Sequence, residues 1–217
     1  MKKDFSNKKQ LYSYAIGLVV ILIIIFGIFY RNNQYGILQI KSLDENLTVF
    51  INNQRKEVPQ NINPQFKLKN GKHTIVIAKD KFWPWIKEVE INKDSDFIIQ
   101  PFFIPQNTSG VLIGKEDSEY PQIISLFQTN LISQSALEKI PDNLTLLKET
   151  ITALDFYKER QDIVIIASGD GIYGLEIDSK NIQNFQPIYK GIHPLFVKKD
   201  NSSLYILDND NLMLVNY

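Results

Sequence analysis

From Leu11 to Tyr30 the chain reads LYSYAIGLVVILIIIFGIFY, twenty residues without a charge. At about 1.5 Å per residue a helix of that length reaches about 30 Å, the thickness of a bilayer's hydrocarbon core. A helix on the surface of a globular core keeps a polar face, and this run has none. The expectation is a single membrane-spanning helix over residues 11–30, with the rest of the chain held near a membrane. Tyr12, Tyr14 and Tyr30 lie near its two ends, where amphipathic rings favour the interface.

Orientation follows from the flanks. Lys2, Lys3, Lys8 and Lys9 precede the run, opposed by Asp4. Positive flanks stay in the cytoplasm, so residues 1–10 form a cytoplasmic tail and residues 31–217 lie outside. A cleaved signal peptide fits less well. The apolar stretch exceeds the usual 7–15 residues of a signal core, and GIFYRNNQYG offers no small-x-small cleavage site. The reading is a signal-anchor, single-pass protein of the cell membrane.

Charge and composition exclude several classes. Basic and acidic residues balance at 24 each, and the remainder after the tail is slightly acidic, so there is no electrostatic footprint for nucleic acid. Cysteine is absent, which removes thiol catalysis, Cys-ligated zinc and disulfide bracing together. The outer part must hold itself together with an apolar core, for which 44% hydrophobic residues suffice. The Asn-, Ile- and Lys-rich composition fits an AT-rich bacterial genome.

Beyond a connector at 31–44, period-two patterning predicts strands. Leu47, Val49 and Ile51 alternate in LTVFI, Ile75 and Ile77 in HTIVIAK, and Ile86, Val89 and Ile91 imperfectly in IKEVEI. Turn chemistry separates them at Asn52-Asn53, Asn70-Gly71 and Lys79-Asp80. DFIIQPFFIP closes the unit at Pro105, with Pro101 suited to a strand boundary.

This stretch, residues 45–105, resembles a PEGA domain. Asn52-Asn53 stands at that family's first turn and Asn63-Pro64 at its Thr-Pro step. Leu68, Gly71, His73, Ile75 and Ile77 match its central strand. The resemblance implies a small antiparallel β-sandwich outside the membrane beside a single anchor. Lys81 departs from the pattern, standing where a glycine usually precedes the aromatic Phe82.

Residues 106–217 read as a second β region. A short helix is expected within Ser133–Ile140 and a strand at Ile151–Tyr157. Hairpins are expected around Ser168–Gly171 and Asp208–Asn211. Their order resembles β-propeller blades, but about one and a half are visible where a propeller uses roughly four to eight. The fold expected is therefore mainly β: a transmembrane helix, a PEGA-like sandwich, then an incomplete propeller-blade-like antiparallel region.

Catalytic patterns are missing. His73 and His193 are the chain's two histidines, and no H-E-x-x-H, G-x-S-x-G or Walker-type motif occurs. Gly169, Gly171 and Gly174 fall in a hairpin, not between strand and helix, so they read as turn residues. Asp208-Asn209-Asp210-Asn211 looks like a calcium loop at first sight. An EF-hand wants Gly at its sixth position, where Met213 stands, and a hairpin turn is the better reading. No metal and no cofactor are expected.

The suggestive cluster is Phe82-Trp83-Pro84-Trp85, which holds both tryptophans. Phe82, Trp83 and Trp85 are the candidate partner-binding residues, with Trp83 the ring expected at the rim. The function expected is a non-enzymatic binding or scaffolding protein of the cell envelope, with envelope protein or polysaccharide as partner. The alternatives are an accessory subunit of an envelope hydrolase or peptidase, and the outer domain of a sensor complex.

Overall fold

The computed structural model describes residues 14, 16–25, 27, 34–42, 46–58, 63–142, 150–177 and 182–217. The fold is mainly β, sandwich-like, with several antiparallel sheets. By compactness the chain divides into two units that interleave in sequence. One comprises residues 1–43, 60–73 and 89–100; the other comprises 44–59, 74–88 and 101–217.

The expected membrane span falls partly outside the described residues, which omit 1–13, 15, 26 and 28–33. Residues 16–25 are helical and expose apolar side chains throughout. No helix among the described residues is long and apolar enough to cross a membrane.

The first unit is built on β1 (Tyr35–Ile40), flanked by β4 (Gln65–Lys69) and β7 (Asp96–Ile99) in the order β4-β1-β7. β1 pairs antiparallel with β4 and parallel with β7. The segment expected to be a connector thus supplies a central strand. Its YGILQI alternates, and Leu38 and Ile40 are fully buried, so the hydrophobic gain outweighs any linker role.

Along the same stretch of sequence run β2 (Thr48–Ile51), β3 (Gln54–Lys56), β5 (Gly71–Ala78) and β6 (Trp85–Ile91), in the order β3-β2-β5-β6. Asn52 and Asn53 both take positive φ, 52° and 63°, as the two-residue turn between β2 and β3 requires. Pro101 lies just beyond β7, outside any strand.

Two further four-stranded antiparallel sheets make up most of the second unit. One is a meander of β9 (Ile151–Tyr157), β10 (Arg160–Ser168), β11 (Gly171–Ile177) and β12 (Ile182–Lys190). The other joins β13 (Leu195–Lys198), β14 (Ser203–Asp208) and β15 (Asn211–Asn216) to β8 (Ser109–Ile113), a strand from far upstream. β10 is central: Ile163 to Ala167 are five consecutive fully buried residues, the continuous apolar run of a strand covered on both faces.

A short helix at Gln134–Leu137 packs Ala136 into a cluster with Ile140, Leu154, Val164, Ile166 and Leu175. β8 and a second helix, Tyr120–Leu126 with Pro121 in its first turn, form where no element had been expected.

Candidate partner-binding surface

The turn between β5 and β6 carries the aromatic cluster. Lys81 sits at φ 65°, a left-handed conformation that costs a side-chain-bearing residue about 1–2 kcal/mol. The turn therefore has the geometry for which glycine is suited, without the glycine. Backbone bonds sew it to the following segment. Trp83 N–H donates to the Ile104 carbonyl at 2.9 Å, and Gln106 N–H to the Lys81 carbonyl at 2.8 Å. Phe82 meets Phe103 edge-on at 6.3 Å, with the Lys79 ammonium 4.2 Å from the Phe82 centroid.

The three candidate aromatics end in different places. Phe82 and Trp83 are half-buried. The Trp83 Nε1–H is enclosed and has no hydrogen-bond partner among the described residues. Trp85 has no exposed surface, so its ring has no face to offer a partner.

What holds Trp85 is a buried polar cluster that no sequence pattern marks. Glu176 Oε2 accepts from the Trp85 indole at 2.7 Å and from Asn184 Nδ2 at 2.6 Å. Glu176 Oε1 accepts from the Lys87 ammonium at 2.8 Å. Asn184 Oδ1 in turn accepts from the Ile86 backbone N–H at 2.7 Å.

Two residues along β12, Gln186 repeats the device. Its Oε1 accepts from Ile104 N–H at 3.0 Å, and its Nε2 donates to the Phe102 carbonyl at 3.3 Å. Buried backbone groups need partners. Side-chain amides supply them here, in place of a strand ladder. Gly174 lets the segment approach closely: a Cβ there would lie 2.4 Å from Ile104 Cδ1.

Burying Asn184 and Gln186 reverses the usual alternation on β12. Phe185 between them is turned outward and is 52% exposed. It stacks on Tyr173 at 4.3 Å with 29° between the planes, and Tyr173 donates to Asp170 Oδ1 at 3.2 Å. Burial, then the Asp170 carboxylate, raise the Tyr173 hydroxyl above its ordinary pKa. The stacked pair at the surface is thus exposed Phe185 on half-buried Tyr173. A period-two reading would have put Phe185 inside; the signal that could have found it is the polar pair Asn184 and Gln186 at i and i+2.

No family model matches this chain, and no curated protein is similar to it.

The two histidines are engaged locally. His73 Nε2–H donates to the Lys69 carbonyl at 2.7 Å. His193 N–H donates to Asp208 Oδ1 at 3.0 Å. Asp208 also accepts from Ile192 N–H at 3.1 Å and from the Tyr189 hydroxyl at 3.1 Å. Burial opposes its charge, but these bonds outweigh it and hold the carboxyl below its ordinary value. The hairpin turn beyond it is Asn209–Asp210, with Asn209 at φ 53°. Asp208 therefore fastens the 191–193 loop. Among the described residues no group of three or more acidic or histidine side chains is placed to hold a metal ion.

The first unit carries a concavity of about 440 Å³ lined by Tyr35, Gln65, Lys67, Asp94 and Asp96, among others. The Lys67 ammonium lies 4.9 Å from the Tyr35 ring centroid. Its lining mixes polar and apolar groups, and the Tyr35 ring already carries a cation.

Proposed function

We propose that this chain is a membrane-anchored, extracytoplasmic protein of the cell envelope that works by binding or scaffolding. The observation that carries this reading is the helical stretch 16–25. Its nine apolar side chains from Ile16 to Ile25 are each 49–65% exposed. A contiguous apolar surface of that kind marks a membrane or protein contact, and the four lysines before it favour a cytoplasmic N-terminus. The β-rich outer part fits a PEGA-like sandwich followed by propeller-like sheets. Its exposed aromatics, Phe185 and the rim of Trp83, suit contact with an envelope protein or polysaccharide.

The absence of cysteine makes the test clean. Ser6→Cys and Asp210→Cys each give a single thiol in the full chain. In intact cells a membrane-impermeant maleimide should label Asp210→Cys and spare Ser6→Cys, and the protein should stay with membranes through an alkaline carbonate wash. Release by carbonate, or labelling of Ser6→Cys, overturns the anchor. Retention on isolated envelope polysaccharide or envelope protein, lost with Phe185→Ala or Trp83→Ala, supports the binding role; retention unchanged by both removes these aromatics from it.

A further inference from the structure

β8 is the outermost strand of the β13-β14-β15-β8 sheet, and it is unprotected. Edge strands are usually blunted by charge, proline or cover, because a free row of N–H and C=O groups templates another strand. Every other sheet edge among the described residues is so marked. β3 carries Arg55 and Lys56, β4 Lys67 and Lys69, β6 Lys87, β7 Asp96, β9 Asp155, β12 Pro187 and β13 Lys198. β8 reads SGVLI, with neither charge nor proline, and Val111 and Leu112 are 68% and 69% exposed.

The register shows which groups are free. The β14–β15 hairpin turns on two residues, so Asp208 and Asn211 form its first hydrogen-bonded pair. Alternation then points the backbone groups of Leu212, Leu214 and Asn216 at β8. Their partners are Ile113, Val111 and Ser109. The N–H and C=O groups of Gly110 and Leu112 therefore point outward, and no hydrogen bond reaches them among the described residues.

Those four groups are self-complementary. If a second β8 runs antiparallel about Val111, Gly110 of each copy faces Leu112 of the other. Both are outward-pointing residues, so four backbone bonds form. The side chains agree with this register. Across the sheet one row runs Phe196, Ile206, Met213, Leu112 and the next runs Leu204, Val215, Gly110. Each row starts in the core and ends bare at β8: Leu112 is uncovered, and Gly110 presents only backbone, held close to Val215, whose Cγ2 would stand 3.1 Å from an added Cβ. In the paired register the second copy's Leu112 stands opposite Gly110, which has no side chain to oppose it. Val111 meets Val111 at the centre, a close non-hydrogen-bonded pair that brings no charges together.

We propose that two copies of this chain join edge to edge through β8, forming one eight-stranded antiparallel sheet. The inference is independent of the membrane anchor. It is tested on the full chain in detergent micelles. Val111→Cys should cross-link to twice the monomer mass on mild oxidation, because directly opposed Cα atoms of such a pair lie about 4.5 Å apart, within disulfide reach. Ser109→Cys should not, since its own mate is four positions away, about 13 Å along the strand.

Val111→Lys places two ammonium groups opposite one another, and the wild-type dimer seen by light scattering should fall to monomer with an unchanged circular dichroism spectrum. The proposal is overturned by a monomeric wild-type chain, by Ser109→Cys cross-linking as readily as Val111→Cys, or by a dimer that survives Val111→Lys.

Discussion

Replacing Glu176 with alanine tests whether the buried polar cluster holds β6 in place. The carboxylate serves three donors: the Trp85 indole, the Asn184 amide and the Lys87 ammonium. Without it the ammonium, 14% exposed, loses the counter-charge that lies 2.8 Å away. Breaking a buried ion pair from one side costs about 3–5 kcal/mol, and each neutral donor left unmet costs about 1–3 kcal/mol. Water entering the vacated space offsets part of this, so the expected loss is about 4 kcal/mol. A typical domain's stability is about 5–15 kcal/mol, so the change is severe.

The assay is urea unfolding of the full chain in micelles, in a Trp83→Phe background so that Trp85 alone reports. With a slope of about 2 kcal/mol per molar urea, the midpoint should fall by about 2 M. Trp85 emission should move to the red as β6 loosens. Glu176→Gln keeps an acceptor for the Trp85 indole and the Asn184 amide and turns its own amide toward Lys87, so about 2 kcal/mol is expected. The pair Glu176→Met with Lys87→Met should cost clearly less than the two single changes added together, because neither half of the ion pair is left without the other. A loss below about 1 kcal/mol for Glu176→Ala, or simple additivity of the two methionine changes, refutes the reasoning.

Other outcomes rest on the same geometry. Gly174→Ala would push against Ile104 and Phe102 and should destabilise by about 1–3 kcal/mol, read as a lower melting temperature. Lys81→Gly relieves the positive φ at some cost in unfolded-state entropy, so a gain of about 0.5–1 kcal/mol is expected in urea unfolding. Asp208 titrates lower folded than unfolded. Its stabilisation is therefore present at neutral pH and is lost as pH falls from the ordinary carboxyl value of 3.8 through the lower folded one. Asp208→Asn should flatten the acid limb of the stability–pH curve there and cost about 1–2 kcal/mol at pH 7.

Several elements were legible because their signals are local. Asn52-Asn53, Gly169-Asp170 and Asn209-Asp210 turn where turn chemistry predicted, and so do the hairpins they close. β1 was missed because six alternating residues beside a long apolar run look like a tether, and its value as a central strand depends on β4 and β7, which arrive later in sequence. β8 was missed for a similar reason: its one partner, β15, lies about a hundred residues downstream.

The aromatic turn was found, but the roles within it were not separable. Whether Trp85 faces solvent or core is decided by Glu176, ninety-one residues away.

Sequence alone determined the apolar, charge-free run and its basic flank, the β-rich character of the chain beyond that run, the absence of thiol chemistry and the positions of the tight turns. Each depends on composition or on residues a few positions apart. Only the tertiary structure decided which polar residues are buried, which aromatic ring stays exposed and which strand edge is left open. Those outcomes depend on donors and acceptors meeting across long chain separations. Asn184 and Gln186 are ordinary surface residues by type, and they become core residues because Ile86, Phe102 and Ile104 bring backbone groups that need them.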